Sequence, residues 1–243
     1  MELVLASASP RRREILEAHG IACQVLAPVV DEEALVAAWE RTDGKDVGAL
    51  VTSLALAKAR EAQKQVESIV GRFEREQHEA LEELEIFMPP MGLDRSRPSF
   101  AAREMPTEFA RQQKMSFRYI LAADTLVYNG HILGKPYSPE RAIAMLMELS
   151  GCSHEVYTGV AFLDRLKSTK TLLFDVSTVT FQNYDEEAAR AYVVTGEPLD
   201  KAGAYAIQGL WGMQVASIEG DFENIVGLPW HKIEPLLVAQ QGV

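Results

Sequence analysis

Ser7-Ala8-Ser9-Pro10-Arg11-Arg12-Arg13 puts the densest positive charge of the chain next to its N-terminus, in a protein whose formal net charge is −11. It follows the apolar run Glu2-Leu3-Val4-Leu5-Ala6, which reads as a buried strand. Ser9-Pro10 reads as a helix start, with Ser at the N-cap and Pro at the first helical position. A strand, a tight turn and a helix N-terminus together make an anion site. The first N–H groups of a helix have no partner inside it, and the helix dipole is positive there. Ser7 and Ser9 add hydroxyls, and Arg11 and Arg12 can fork onto phosphate oxygens. The plainer reading is a solvated basic turn with an ordinary cap. Neither the P-loop pattern nor the dinucleotide fingerprint is present.

Further along, "AADTLVYNGHILGKP" (122–136) places Asp124 at a strand end, Thr125 beside it and Lys135 across a hairpin. A carboxylate there can activate water or hold a divalent cation, and a lysine can neutralise a polyphosphate. Asp124 and Glu32, from the pair Asp31-Glu32, are hard oxygen donors suited to Mg²⁺ or Mn²⁺. "GEPLDKAGAYAIQG" (196–209) gathers Asp200, Lys201, several glycines and Gln208. Its glycines allow close backbone approach to a ligand, and a Gln amide can read a base edge. Taken singly, these stretches are also a hairpin cap, a loop lysine and a turn-rich connector. His78 and His131 stand alone without ligand spacing, and Trp211 and Trp230 read as core.

The first helix runs from Ser9-Pro10 to about His19, and Gly20 ends it. Residues 22–27 read as a second strand, broken by Pro28. From about Asp46 to Phe87 the pattern is helical, with Ala62, Val66, Ile69, Phe73, Ala80, Leu84 and Phe87 at three- and four-residue spacing. Residues 88–106 read as a proline-rich loop, and Thr107 as the cap of a short helix. "YILAAD" (119–124) is a strand, and "LVYNGHIL" (126–133) a hairpin with Asn129-Gly130 in a type I′ turn. Ser138-Pro139 starts a helix to about Leu149. Residues 154–163 and 171–181 pair antiparallel around Lys167-Ser168. Asp185–Val194 is helical, a strand lies near Met213–Ile218, and Pro229 opens a last helix. Helices and strands alternate early and strands pair later, which predicts an α/β fold with a mixed sheet.

The 243 residues can build one substantial core. No apolar run approaches the ~20 residues of a bilayer span, and no signal peptide is evident. Cys23 and Cys152 make neither a disulfide framework nor a metal motif, so a reduced, cytoplasmic protein is expected. The acidic balance argues against stable nucleic-acid binding, which needs a broad basic field, but not against a small anionic ligand in a local basic pocket.

The ordered set "LASASPRR" (5–12), "DE" (31–32), "LALAKA" (54–59), "ILAADTLV" (120–127), "GKP" (134–136), "HEVYTGV" (154–160), "GEPLDKAGAYAIQG" (196–209) and "NIVGLP" (224–229) resembles the Maf family of nucleoside triphosphate pyrophosphatases. The resemblance implies a two-lobed α/β fold, with a twisted mixed sheet, flanking helices and a nucleotide cleft. It implies hydrolysis of a nucleoside triphosphate to the monophosphate and pyrophosphate, assisted by a divalent metal. It makes Asp124 the general base and ties Arg12, Thr125 and Gln208 to substrate choice. It adds Glu32, Lys58 and Lys135 as polar groups of the site. "SPRR", "ADT" and "IQG" (207–209) are similar to the subgroup acting on dTTP and UTP, whereas the 7-methyl-GTP subgroup has Glu in place of Gln208.

One departure stands out. The family passes from the "KA" helix to the "ADT" strand by a short connector, but here about fifty residues intervene. The expectation is a single domain over 1–243 with an inserted helical segment at about 60–118. That segment reads either as a solvated surface insertion or as a helical hairpin at the cleft mouth or a subunit contact, as in a homodimer. Rival readings of the whole chain are a pyrophosphatase for 7-methyl-GTP or other modified nucleotides, and a nucleotide-binding regulator of septum formation.

Overall fold

The computed structural model describes residues 2–43, 45–87 and 117–239, without the side chains of 73–74 and 76–87. In chain order the elements are β1 (Leu3–Ala6), α1 (Pro10–Ala18), β2 (Gln24–Leu26), α2 (Glu32–Glu40), α3 (Val47–Phe87), β3 (Tyr119–Tyr128), β4 (Ile132–Leu133) and α4 (Pro139–Leu149). They continue with β5 (Ser153–Asp164), β6 (Thr169–Phe181), α5 (Glu186–Val194), β7 (Val215–Glu219), α6 (Phe222–Val226) and α7 (Trp230–Val238). Three short 3₁₀ turns lie between α5 and β7.

The seven strands form one mixed sheet in the order β2-β1-β3-β5-β6-β7, with β4 paired to β3. β2, β1 and β3 are parallel, and the β3–β5, β5–β6 and β6–β7 pairs are antiparallel. β1 and the first half of β3 are apolar at successive positions because both faces of the sheet are covered. Leu3, Leu5, Leu121 and Ala123 pack on one face in the core that includes Leu16, Leu146, Leu149, Ile233 and Leu237. Val4, Ala6, Ile120 and Ala122 pack on the other, against Ala55, Ala59, Ala62 and Val66 of α3. β3 runs on past the end of β1, because Leu5 pairs with Leu121 and β1 stops one residue later.

Most helix ends follow their sequence signals. Gly20 is left-handed at φ 75°, Gly20 N–H bonds to Glu17 and Ile21 N–H to Leu16, which is a Schellman stop. The hydroxyls of Ser138 and the carboxylates of Asp31, Asp185 and Asp221 accept N–H bonds at the starts of α4, α2, α5 and α6. Ser9 differs: it precedes Pro10, but its side chain makes no cap bond. Its own N–H donates to Ser7 Oγ instead.

Three local expectations change. The 126–133 hairpin exists, but Val127↔Leu133 and Tyr128↔Ile132 pair around a three-residue turn, not a two-residue type I′ turn. Gly130 alone is left-handed there (φ 73°), and Asn129 N–H reaches the His131 carbonyl. α2 was not anticipated, since it buries no residue fully and so carries a weak apolar stripe. α6, too, is hidden in a turn-rich stretch. The helical pattern from 46 to 87 is a single helix, and its stripe finds a partner in the sheet through Ala62, Val66 and Val70. The start of the expected insertion therefore belongs to the core. The loop at 88–106 and the cap at Thr107 fall outside the described residues. No described helix is long and apolar enough to cross a membrane.

Candidate active site

The end of β1 opens a cleft of about 520 Å³ between the Ser7–Arg12 turn, α2, α3, the β3–β4 hairpin, the 200–207 loop and α6. This lies within the usual range for small-molecule sites, and such crevices form beyond the carboxyl ends of parallel strands.

The arginine run divides. Arg13 points out and pairs with Glu17. Arg11 lines the cleft and is half-buried. Arg12 is buried: Nε donates to the Gly227 carbonyl (2.8 Å), Nη1 to Ser7 Oγ (3.0 Å) and Nη2 to Thr125 Oγ1 (2.9 Å). Burial draws its pKa below the ordinary arginine range, while Asp124 pulls it back up. Ser7 Oγ accepts from both Ser9 N–H and Arg12, so its own proton remains to donate. The backbone tolerates Arg12 here because Gly227 is at φ 125°, and a Cβ on it would lie 3.3 Å from Arg12 Nε.

Asp31 and Glu32 also part company. Asp31 caps α2 through Ala34 N–H, which turns Glu32 into the cleft. Lys58, on the sheet-facing side of α3, then bridges two carboxylates: 2.8 Å to Glu32 Oε1 and 2.7 Å to Asp124 Oδ1. Burial raises the Glu32 pKa, but Lys58, Lys135 and Arg12 outweigh it, so the net shift is downward. Lys135 also lines the cleft, along with Asp200 and Lys201, which pair with each other.

Asp124 is not at a strand end as its sequence suggests but in the middle of β3, because the strand carries straight on into the hairpin. Asp124 and Thr125 are consecutive on it and so face opposite sides of the sheet. Asp124 meets α3 through Lys58, and Thr125 meets Arg12 of α1 and Thr158 of β5. The cleft is thus bipolar. The Asp124 side holds Glu32 and Lys58, whereas the Thr125 side is walled by Val127, Val156, Tyr205, Ile207, Ile225 and Val226.

Of the residues expected from sequence, Ser7, Arg11, Arg12, Glu32, Lys58, Asp124, Thr125 and Lys135 meet in this cleft. Gln208 does not: it is exposed and follows the wall residue Ile207. The apolar wall went unforeseen, as did Thr158 and Asn224 beneath it. Both fall within the family stretches "HEVYTGV" (154–160) and "NIVGLP" (224–229), and Thr158 also shows as polarity out of place between the buried Val156 and Val160.

Two carboxylates converging on one ammonium offer a divalent cation what it needs from protein, since Mg²⁺ commonly takes one or two carboxylates plus substrate phosphates. Among the described residues, a single group brings three ligand atoms within 4.8 Å of one another, and it is not this pair: Asp175, Asp221 and His231. It lies outside the cleft lining, Asp175 is held by Lys232 at 2.6 Å, and Asp221 caps α6.

Comparison with known proteins agrees with this architecture. A dTTP/UTP pyrophosphatase of Moorella thermoacetica is 36% identical over 237 residues, 97% of this chain and 93% of the relative. One of Clostridium acetobutylicum is 34% identical over 239 residues, 98% of this chain and 97% of the relative. One of Clostridium tetani is 46% identical over 135 residues, 55% of this chain and 70% of the relative. The family model described as Maf-like protein matches residues 2–240, a span that takes in every wall of the cleft, and the chain belongs to the Maf family.

Proposed function

We propose that this protein hydrolyses dTTP and UTP to the nucleoside monophosphate and pyrophosphate. The observation that carries the reading is the Glu32–Lys58–Asp124 bridge, facing the Arg11–Arg12 helix start across one cleft. The names of the relatives supply the nucleotides. On this reading the Ser7 hydroxyl, the N-terminus of α1 and Arg11 hold phosphate oxygens, and Lys135 and Lys201 offset the charge that develops on the leaving pyrophosphate. Asp124 takes the proton of the attacking water, with Lys58 holding its carboxylate in place. Glu32 and Asp124 would hold a Mg²⁺ or Mn²⁺ ion, which supplies further positive charge to the phosphate chain. Arg12, Thr125 and Gln208 select the base; Gln208 reaches it only if its turn folds inward, because its side chain starts in solvent.

A nucleotide panel with Mg²⁺ or Mn²⁺, following pyrophosphate release, tests this. dTTP and UTP are expected to exceed ATP and GTP in kcat/KM, and Gln208→Glu to weaken pyrimidine use. A panel led by 7-methyl-GTP would overturn the substrate assignment. Asp124→Asn is expected to lower kcat about a hundredfold or more with nucleotide binding retained. Near-native turnover by that folded variant would remove Asp124 from the chemistry.

A further inference from the structure

Thr125 sits at the junction of a buried hydrogen-bond chain whose direction can be worked out. Thr158 Oγ1 lies 2.8 Å from the Asn224 carbonyl and 2.9 Å from Thr125 Oγ1. A carbonyl only accepts, so the single Thr158 proton goes to Asn224. The bond between the two threonines must then be donated by Thr125. Were it not, two oxygens 2.9 Å apart would face each other with lone pairs, at a position where Thr158 is fully buried. Thr125 Oγ1 also accepts from Arg12 Nη2. Its proton and one lone pair are spent, and one lone pair is left.

We propose that Thr158 is a positioning residue that fixes the polarity of Thr125, so that Thr125 offers the cleft an acceptor and never a donor. This rests on the pyrimidine reading above and gives it a mechanism. Arg12 has five N–H groups and spends three within the protein, on Gly227, Ser7 and Thr125. It therefore presents spare donors beside the Thr125 acceptor. A donor next to an acceptor matches a ring carbonyl next to a ring N–H, which is the imide edge of uracil and thymine. Cytosine carries a lone pair at that ring nitrogen and meets Thr125 lone pair to lone pair. The apolar wall of Val127, Val156, Ile225 and Val226 is on the Thr125 side of the cleft and suits the flat faces of a base.

Thr158→Val keeps the shape but removes the oxygen that receives the Thr125 proton. Thr125 is then free to turn and donate. The ratio of kcat/KM for UTP over CTP is expected to fall about tenfold, and Thr158→Ser to keep it within about twofold of the parent. The same comparison is made by calorimetry with the products UMP and CMP, which need no turnover. A folded Thr158→Val with the parental ratios overturns the proposal. If that variant does not fold, Thr125→Ala decides: loss of about tenfold in UMP affinity with CMP little changed supports the acceptor role, and equal loss for both overturns it. Preference for UMP without pyrophosphate release from any nucleotide would sink the pyrophosphatase reading alone. Release from UTP with no change in the ratio on mutating Thr158 or Thr125 would sink the polarity assignment alone.

Discussion

Arg11, Arg12 and Arg13 are adjacent in sequence and have three different environments, because each step along a helix turns the side chain by about 100°. The run is legible as an anion site. Which arginine is buried is not, since the Gly227 and Thr125 that receive Arg12 lie more than a hundred residues away. His154 is a second residue whose state comes from its surroundings. Its Nε2 is 2.8 Å from the Tyr205 hydroxyl, Nδ1 has no hydrogen-bond partner among the described residues, and burial pushes its pKa down to about 4. An unfolded imidazole titrates near ~6.5, so between these values the unfolded chain binds the extra proton. The stability that His154 contributes is complete above about pH 6.5 and is lost as the pH falls towards 4, with a slope of up to about 1.4 kcal/mol per pH unit. Urea midpoints at pH 7, 5.5 and 4.5 for the parent and His154→Gln should diverge in this direction, the parent losing more on acidification. Parallel curves would show that His154 is not the source.

Among the elements, α3 is set by glycine as much as by its apolar stripe. A Cβ at Gly159 of β5 would lie 2.4 Å from the Val51 carbonyl carbon and oxygen, so α3 rests on the strand backbone to backbone. Backbone cannot yield, and Lys58 is seven residues beyond Val51, about 10 Å along the helix. Gly159→Ala is expected to lift α3, cost roughly 1–3 kcal/mol of stability, and reduce kcat/KM more than tenfold by drawing Lys58 from Asp124 and Glu32. Gly48 provides the control: its neighbour is the ring of Phe174, which is 41% exposed and can rotate away. Gly48→Ala should keep activity within about twofold; if both variants behave alike, the contact at Gly159 does not govern the site. Buried strands and the helices opened by Ser9-Pro10 and Ser138-Pro139 are readable because apolar runs and Ser-Pro pairs are local signals, whereas the Asp caps of α2 and α6 do not announce a helix by themselves. The Asn129-Gly130 turn was misjudged because turn length is decided by strand register, and α2 was missed because it faces the core weakly.

For the molecule as a whole, the stretch 60–118, which reads from sequence as an insertion, has a physical division. Up to Val70 the helix is core, and from Phe117 the chain is core again. Arg118 there pairs with Asp164 through two bonds, and Arg165 donates to the Phe117 carbonyl. Among the described residues, none from 59 to 118 lines the cleft. We therefore expect that replacing residues 73–115 by a flexible Gly/Ser linker leaves kcat within about tenfold of the parent, measured by pyrophosphate release. A folded, nucleotide-binding but inactive deletion would show that the segment supplies a lid or a catalytic group. The residue types of the site were visible in sequence, but its two-sidedness was not, because that depends on which face of β3 each neighbour takes. Asp124 and Thr125 are joined by a single peptide in a strand that pairs with β5 at both positions, with the β1 ladder ending just before them and the β4 ladder starting just after. On the roles proposed for them, no hinge separates the reading of the base from the attack on phosphorus. A wrong base cannot be accommodated by tilting one half of the site. It swings the α-phosphate away from the water held at Asp124, so mispairing is penalised in turnover as well as in occupancy, and an ill-fitting nucleotide is an inhibitor before it is a substrate.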